Sequence, residues 1–286
     1  MVAYIFFRLI VAIVSFIPLN ILYSISNFVK WVLHRGVKYR RNIVESNLKA
    51  CFPEKNKDEI EYLISQFYNN FSQVLLEGLK ALSMDEAEIN RRYVVKNPTV
   101  LSNYLNQQKS VILAATHFTN WEWGGVSIGV DFPNKILALY KSIRNFRIEQ
   151  DVIRRRAKSS LVLLNTRETR NMIDRLPEGV GVIMAADQNP SNIKEAIWVT
   201  FFNRDTACLH GIEKYAIPYH LPVLYCDMKR VSQGHYEYSF VEIWDGLTPV
   251  QPGQITQKYM SALESTIRNK PENWLWSHKR WKHTKN

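Results

Sequence analysis

From residue 111 onward short apolar runs alternate with helical stretches, and that alternation most limits the folds open to this chain. Residues 111–115, 136–140, 161–164 and 181–185 read as strands; 121–130, 146–158 and 167–176 between them read as helices. Further on, 197–202, 222–229 and 236–243 read as strands, and 208–220 and 252–269 as helices. Such an order predicts an α/β domain with a mixed, mainly parallel sheet flanked by helices. The preceding part is helical. Residues 37–51 form one segment, and 56–82 carry Ile60, Leu63, Ile64, Phe67, Phe71, Val74, Leu75 and Leu79 at helical spacing, with Asn56 or Asp58 as the start. Ser83 with Glu86 resembles a capping box. Residues 92–96 read as a short strand, and Asn97-Pro98 opens a helix to about residue 106.

The chemistry concentrates at VILAATHFTNWEWGG, residues 111–125. His117 follows the first apolar run, and Glu122 follows five positions later. That spacing makes them neighbours on neither a straight strand nor a straight helix. A turn from strand to helix between them, capped by Thr119 or Asn120, can bring them together. A base and its orienting partner at the end of a buried strand fit this arrangement. The plainer reading is a polar residue at a strand end.

With 286 residues, 46% hydrophobic and 12% aromatic, the chain is long and apolar enough for one sizeable domain, which excludes a disordered chain. The net charge of +11 favours an anionic partner: nucleic acid, anionic lipid, a phosphorylated substrate or an acidic carrier protein. Cys51, Cys208 and Cys226 are far apart, match no zinc spacing and suggest a reducing compartment. His210, His220, His235 and His278 have no ligand spacing and read as structural. Gly124-Gly125 and Gly179 to Gly181 lack the Lys-Ser/Thr of a phosphate loop.

Residues 1–35 read as an N-terminal membrane anchor and 36–286 as the catalytic domain. Positive charge follows the apolar stretch, at Lys30, Arg35, Lys38, Arg40 and Arg41, rather than preceding it as in a secretory signal. Residues 9–25 are barely long enough to span, and Pro18 would kink them. Three readings stay open: a marginal transmembrane helix, a helix in the interface, or a buried amphipathic helix. At the other end, Trp274, Trp276 and Trp281 interleave with Lys279, Arg280, Lys282 and Lys285. That pattern suits nucleic acid, a membrane interface, or a tail whose tryptophans pack on the domain.

Six ordered blocks resemble one family, the lysophospholipid-type late acyltransferases of lipid A biosynthesis. They are the apolar N-terminus running into YRRNIVESNLKACFPEKNKDEIEYLISQFYNNF, then ATHFTNWEWG with its His-x4-acid motif, LYKSIRN, AADQNP, FFNRDTACLHGIEKYA and NKPENWLWSHKRWK. One departure is visible: Arg156 is followed by Ala157, Lys158, Ser159 and Ser160, where the family tends to place Gly four residues after the arginine.

The resemblance implies a glycerolipid-acyltransferase-like fold and an O-acyltransferase of lipopolysaccharide biosynthesis at the cytoplasmic face of the inner membrane. It implies acyl carrier protein as donor, a lipid A precursor resembling Kdo-lipid IVA as acceptor, inner-membrane phospholipid as a contact, no nucleic acid, no metal and no cofactor. His117 would take the acceptor hydroxyl's proton, and Glu122 would hold the imidazole tautomer. Asn145 and Asp187 carry over as substrate-binding residues, although each alone reads as a loop, turn or cap residue. Arg144 and Arg156, with Arg154 and Arg155, would meet lipid phosphates or the carrier protein; otherwise they are a solvated helix face. Another lysolipid or glycolipid acceptor, such as a lysophospholipid or an amino-acid lipid, remains the alternative. A basic nucleic-acid-binding protein is a third reading, which the apolar N-terminus opposes.

Overall fold

The computed structural model describes residues 1–156 and 160–285. Its strands, in chain order, are β1 Tyr93–Val95, β2 Val111–Ala115, β3 Ile136–Tyr140, β4 Val162–Asn165, β5 Gly181–Ala185, β6 Ile197–Phe201, β7 Arg204–Cys208, β8 Val223–Ser232 and β9 His235–Trp244. Seven form one sheet in the order β1-β9-β8-β2-β5-β3-β4. Every neighbouring pair is parallel except β8 with β9, so β1 and β9 run against the rest. The mixed, mainly parallel sheet expected from the alternation is present. Central β2 buries Val111, Ile112, Leu113 and Ala114 completely, because it has a partner on each side and helices over its faces.

The helices are α1 Val2–Phe16, α2 Leu19–Trp31, α3 Arg41–Cys51, α4 Lys57–Ala81, α5 Glu86–Arg92, α6 Pro98–Asn106, α7 Trp121–Asp131, α8 Phe146–Arg156, α9 Thr169–Arg175, α10 Gly211–Ala216 and α11 Gln254–Asn269. Asn56 starts α4 through a reciprocal box: its side chain accepts from the Asp58 and Glu59 amides, and Glu59 accepts from the Asn56 amide. The box expected at Ser83 and Glu86 does not form. Asp85 caps α5 by accepting from the Glu88 amide at 2.7 Å, while the Ser83 hydroxyl donates back to the Lys80 carbonyl.

Strand β7 escapes a sequence reading, and a helix expected from residue 208 begins only at Gly211. The β6–β7 hairpin turns at Phe202 and Asn203, with φ of 51° and 57°. A hairpin turn with two such residues usually advertises itself by Asn-Gly. Here Phe202 occupies the strained position, and its amide donates to the Glu264 carboxylate at 2.6 Å.

At the N-terminus Pro18 separates two helices of 15 and 13 residues, so no continuous helix covers residues 9–25. Among the described residues no helix is long and apolar enough to cross a membrane. The spanning reading therefore has no helix to carry it. Instead α1 leans on α4 and α8, burying Val11 and Val14. Lys80 of α4 donates to the carbonyls of Val14, Ser15 and Ile17, satisfying the end of α1 where Pro18 stops it. The opposite face of α1, with Ile5, Phe6, Leu9, Ile13 and Phe16, is exposed.

The C-terminal segment packs into the domain. Trp274 and Trp276 are buried, and Arg280, 1% exposed, donates to the Ala207 carbonyl at 2.6 Å. The Trp281 indole donates to Thr206 at 2.9 Å. Of the three readings of this tail, packing on the domain is the one its tryptophans follow. Trp276 sits edge-on to Phe52, Phe202 and Trp274. Trp276→Ala should cost about 3–5 kcal/mol through lost burial and an unfilled cavity. A urea unfolding midpoint within error of wild type would contradict this packing.

Candidate active site

The site lies where β2 and β5 end. These strands are adjacent and parallel, with Ala115 opposite Ala185. Each chain then runs two residues further, to His117 and to Asp187. Ligands of α/β sheets gather at such carboxyl ends. The His117 Nδ1 lies 2.6 Å from Asp187 Oδ1, and the His117 amide donates to Oδ2 at 2.9 Å. The Trp274 indole also donates to Oδ2, at 2.9 Å. With Nδ1–H committed to a carboxylate, Nε2 is the nitrogen left to accept a proton. The His117 side chain is 22% exposed and that of Asp187 1%. The ring of Trp121 stands edge-on to the imidazole at 5.3 Å.

This geometry corrects the expected pairing. Asp187, not Glu122, holds Nδ1 of His117. Glu122 is the second residue of α7, and its carboxylate pairs closely with the Arg156 guanidinium at the end of α8. The turn from strand to helix does bring Glu122 near, but as a charge rather than as the ring's hydrogen-bond partner. Asp187, expected at the substrate, is instead a buried acceptor for three N–H donors.

Electrostatics follow the same division. Burial favours the neutral form of His117, but the Asp187 charge and hydrogen bond, and then the Glu122 charge, outweigh it and raise its pKa above 6.5. Burial alone would push Asp187 up; the His117 charge and the hydrogen bonds from His117 and Trp274 bring it down to about 2. An NMR titration of the His117 ring should therefore show a midpoint above 6.5 in wild type. Glu122→Gln should move it down, since one of the charges favouring imidazolium is gone. An unmoved midpoint would mean that Glu122 does not act on the ring.

The loop bearing His117 is clamped by the C-terminal segment. Phe118 bridges Trp274 in antiparallel fashion, the Thr119 amide donates to Asn273, and the Leu275 amide donates to His117. Thr119 has φ of 51°, and Asn120, rather than Thr119, caps α7 by accepting from the Trp123 amide at 3.0 Å.

The other candidates are used differently. Asn145 caps α8, accepting from the Arg147 and Ile148 amides. Arg144 is exposed beside it. Arg154 and Arg155 both pair with Asp151, a buried carboxylate, and Arg155 also donates to the Leu82 carbonyl. Part of the expected cationic cluster is thus spent inside the fold. Arg156 reaches Glu122; residues 157–159 lie outside the described residues, while Ser160, where the family tends to place Gly, has φ of 57°, the left-handed region that favours glycine. Sequence reasoning missed the part played by Trp274. Its signal was the tryptophan-rich tail, but nothing local tied that tail to Asp187. Among the described residues no group of three or more His, Cys, Asp or Glu could hold a metal ion.

Comparison with known proteins adds a family. The model described as "Bacterial lipid A biosynthesis acyltransferase" matches residues 2–283. The lipid A biosynthesis palmitoleoyltransferase of Escherichia coli (strain K12) is 24% identical over 252 residues, covering 86% of this chain and 80% of that protein. The lipid A biosynthesis lauroyltransferase of the same organism is 22% identical over 267 residues, covering 93% and 87%. A lipid A biosynthesis acyltransferase of Haemophilus influenzae is 25% identical over 194 residues, covering 67% and 61%.

Proposed function

Because this chain belongs to the bacterial lipid A biosynthesis acyltransferase family, and is therefore an acyltransferase, we propose that it moves a fatty acyl chain from acyl carrier protein to a hydroxyl of a lipid A precursor. The observation that carries the reading is the imidazole of His117, tied through Nδ1 to Asp187 and leaving Nε2 available at the end of β2. In the proposed reaction Nε2 takes the acceptor hydroxyl's proton as its oxygen attacks the thioester carbonyl carbon. The tetrahedral oxyanion is met by amides in the first turn of α7. Collapse breaks the C–S bond, and the imidazolium returns its proton to the departing thiolate. The products are an ester and the free thiol of the carrier, with no net gain or loss of protons.

Asp187 keeps the tautomer and stabilises the imidazolium, and Glu122 adds a second negative charge to the same end. Arg156 holds Glu122, and Arg144 meets a phosphate of the glucosamine disaccharide. Asn145 acts by fixing the start of α8 next to Arg144. The test is transfer in vitro from a panel of acyl-carrier-protein thioesters to a lipid A precursor, wild type against His117→Ala. Equal transfer to a lysophospholipid would favour the alternative acceptor, and no ester product with any pair would overturn the reading.

The exposed apolar face of α1 supports a seat in the membrane interface, at the cytoplasmic face of the inner membrane. Helix α1 at 15 residues is about 22 Å long, short of the roughly 30 Å of a hydrocarbon core, yet it carries the apolar stripe of a helix lying in the surface. Phe6 and Ile13 are 62% and 52% exposed on that stripe. Phe6→Glu with Ile13→Glu should weaken sedimentation with anionic vesicles by about tenfold or more. Unchanged sedimentation would remove α1 from the interface.

A further inference from the structure

Behind the catalytic turn lies a carboxyl that the reaction above does not use. Glu77 of α4 is 1% exposed. Its Oε1 accepts from the Tyr23 hydroxyl of α2 at 2.8 Å. Its Oε2 accepts from Asn120 Nδ2 at 2.9 Å and from the Tyr236 hydroxyl of β9 at 2.6 Å. Its backbone carbonyl accepts from the Trp123 indole at 2.8 Å. One residue therefore ties the first turn of α7 to α4 twice, and connects α4 to α2 and to the sheet.

Asn120 is the link. Its Oδ1 caps α7 through the Trp123 amide, and its Nδ2 is spent on Glu77. Between these contacts the chain carries Trp121, edge-on to the His117 ring, and Glu122, whose charge acts on that ring. Gly78, the next residue of α4, lies under the stem of Glu122: a Cβ there would sit 3.7 Å from Glu122 Cγ. Asp187 fixes His117 from the β5 side, and its hydrogen bonds go to residue 117 and to Trp274 rather than to α7. The distance between base and helix start is thus set from the α4 side.

We propose that Glu77 is a positioning residue: through Asn120 and Trp123 it holds the first turn of α7, and with it Glu122 and the candidate oxyanion amides, at working distance from His117. The inference rests on the acyl-transfer reading. Misplacing a helix start by a fraction of an ångström affects the transition state more than substrate binding, so the effect belongs in kcat. The hydroxyl of Tyr23 extends the same brace to the helix that follows α1.

Glu77→Leu keeps roughly the bulk but removes both side-chain acceptors, so it can serve neither Asn120 nor the two tyrosines. Asn120→Ser keeps a side-chain acceptor to cap α7 and loses only the reach to Glu77. Each should lower kcat about tenfold, with KM for donor and acceptor within about twofold. In the double variant the loss should be no greater than that of the larger single one, because both remove the same link. Multiplied losses, or a fall in thermal midpoint with unchanged kcat, would reduce Glu77 to a structural brace and overturn the proposal. If Glu77→Leu does not fold, Asn120→Ser alone decides by the same split between kcat and KM. Hydrogen exchange at residues 120–124 is followed in parallel. It should quicken in either variant even if no acyl acceptor is turned over, whereas unchanged exchange overturns the proposal without touching the acyl-transfer reading.

Discussion

His117→Ala should lower kcat for acyl transfer by about 10³-fold while leaving the protein folded. The size follows from what is lost. A hydroxyl near its ordinary pKa is a poor nucleophile at neutral pH, and a positioned imidazole removes its proton as the carbonyl is attacked. The fold should survive because Asp187 keeps two of its donors, the residue 117 amide and the Trp274 indole, both on Oδ2. His117→Gln leaves an amide donor near the other oxygen and serves as a second variant if the first aggregates. Product formation is measured as ester-linked label on the lipid, and folding by the thermal midpoint. Turnover within about tenfold of wild type would remove His117 from the chemistry.

Asp187→Asn should cost about 10²- to 10⁴-fold in kcat with little change in acceptor or donor KM, for a different reason. Two N–H donors converge on Oδ2, so the amide oxygen of the new side chain must take that place. Its NH₂ then faces Nδ1 of His117, where Oδ1 now accepts. The imidazole answers by moving its proton to Nε2, and the nitrogen facing the acceptor hydroxyl becomes a donor. Geometry is kept and the base is lost. NMR of the ring nitrogens reads the tautomer directly. Loss of activity with the proton still on Nδ1 would point to a direct contact of Asp187 with substrate, the role that its sequence block suggests.

These two predictions concern residues 70 positions apart in the chain. Each was legible as a candidate, His117 from the strand before it and Asp187 from the block AADQNP, but their pairing was not. The five-residue spacing pointed to Glu122 because it is the nearest carboxylate along the chain. Adjacency across a parallel sheet is set by strand order, and β2 and β5 are separated by two strands and three helices in sequence. Asn145 and the arginines show the opposite limit. Their residue types suggested ligand binding, while helix capping and the buried Asp151 claim several of them.

The sequence alone determined the alternation of short apolar runs and helices, hence an α/β sheet, since an apolar run such as VILAA between helical stretches suits little else. It also determined where the candidate histidine sits, at the end of such a run, and the break at Pro18, which no partner can undo because proline has no amide proton. The tertiary structure decided which carboxylate holds that histidine, that the tryptophan-rich tail returns to donate to it, and that Glu77 braces the turn from behind. The reason is physical. Periodicity and capping act over a few residues and are written locally, whereas a hydrogen bond between strand ends depends on the order in which distant strands pair, which no local pattern records.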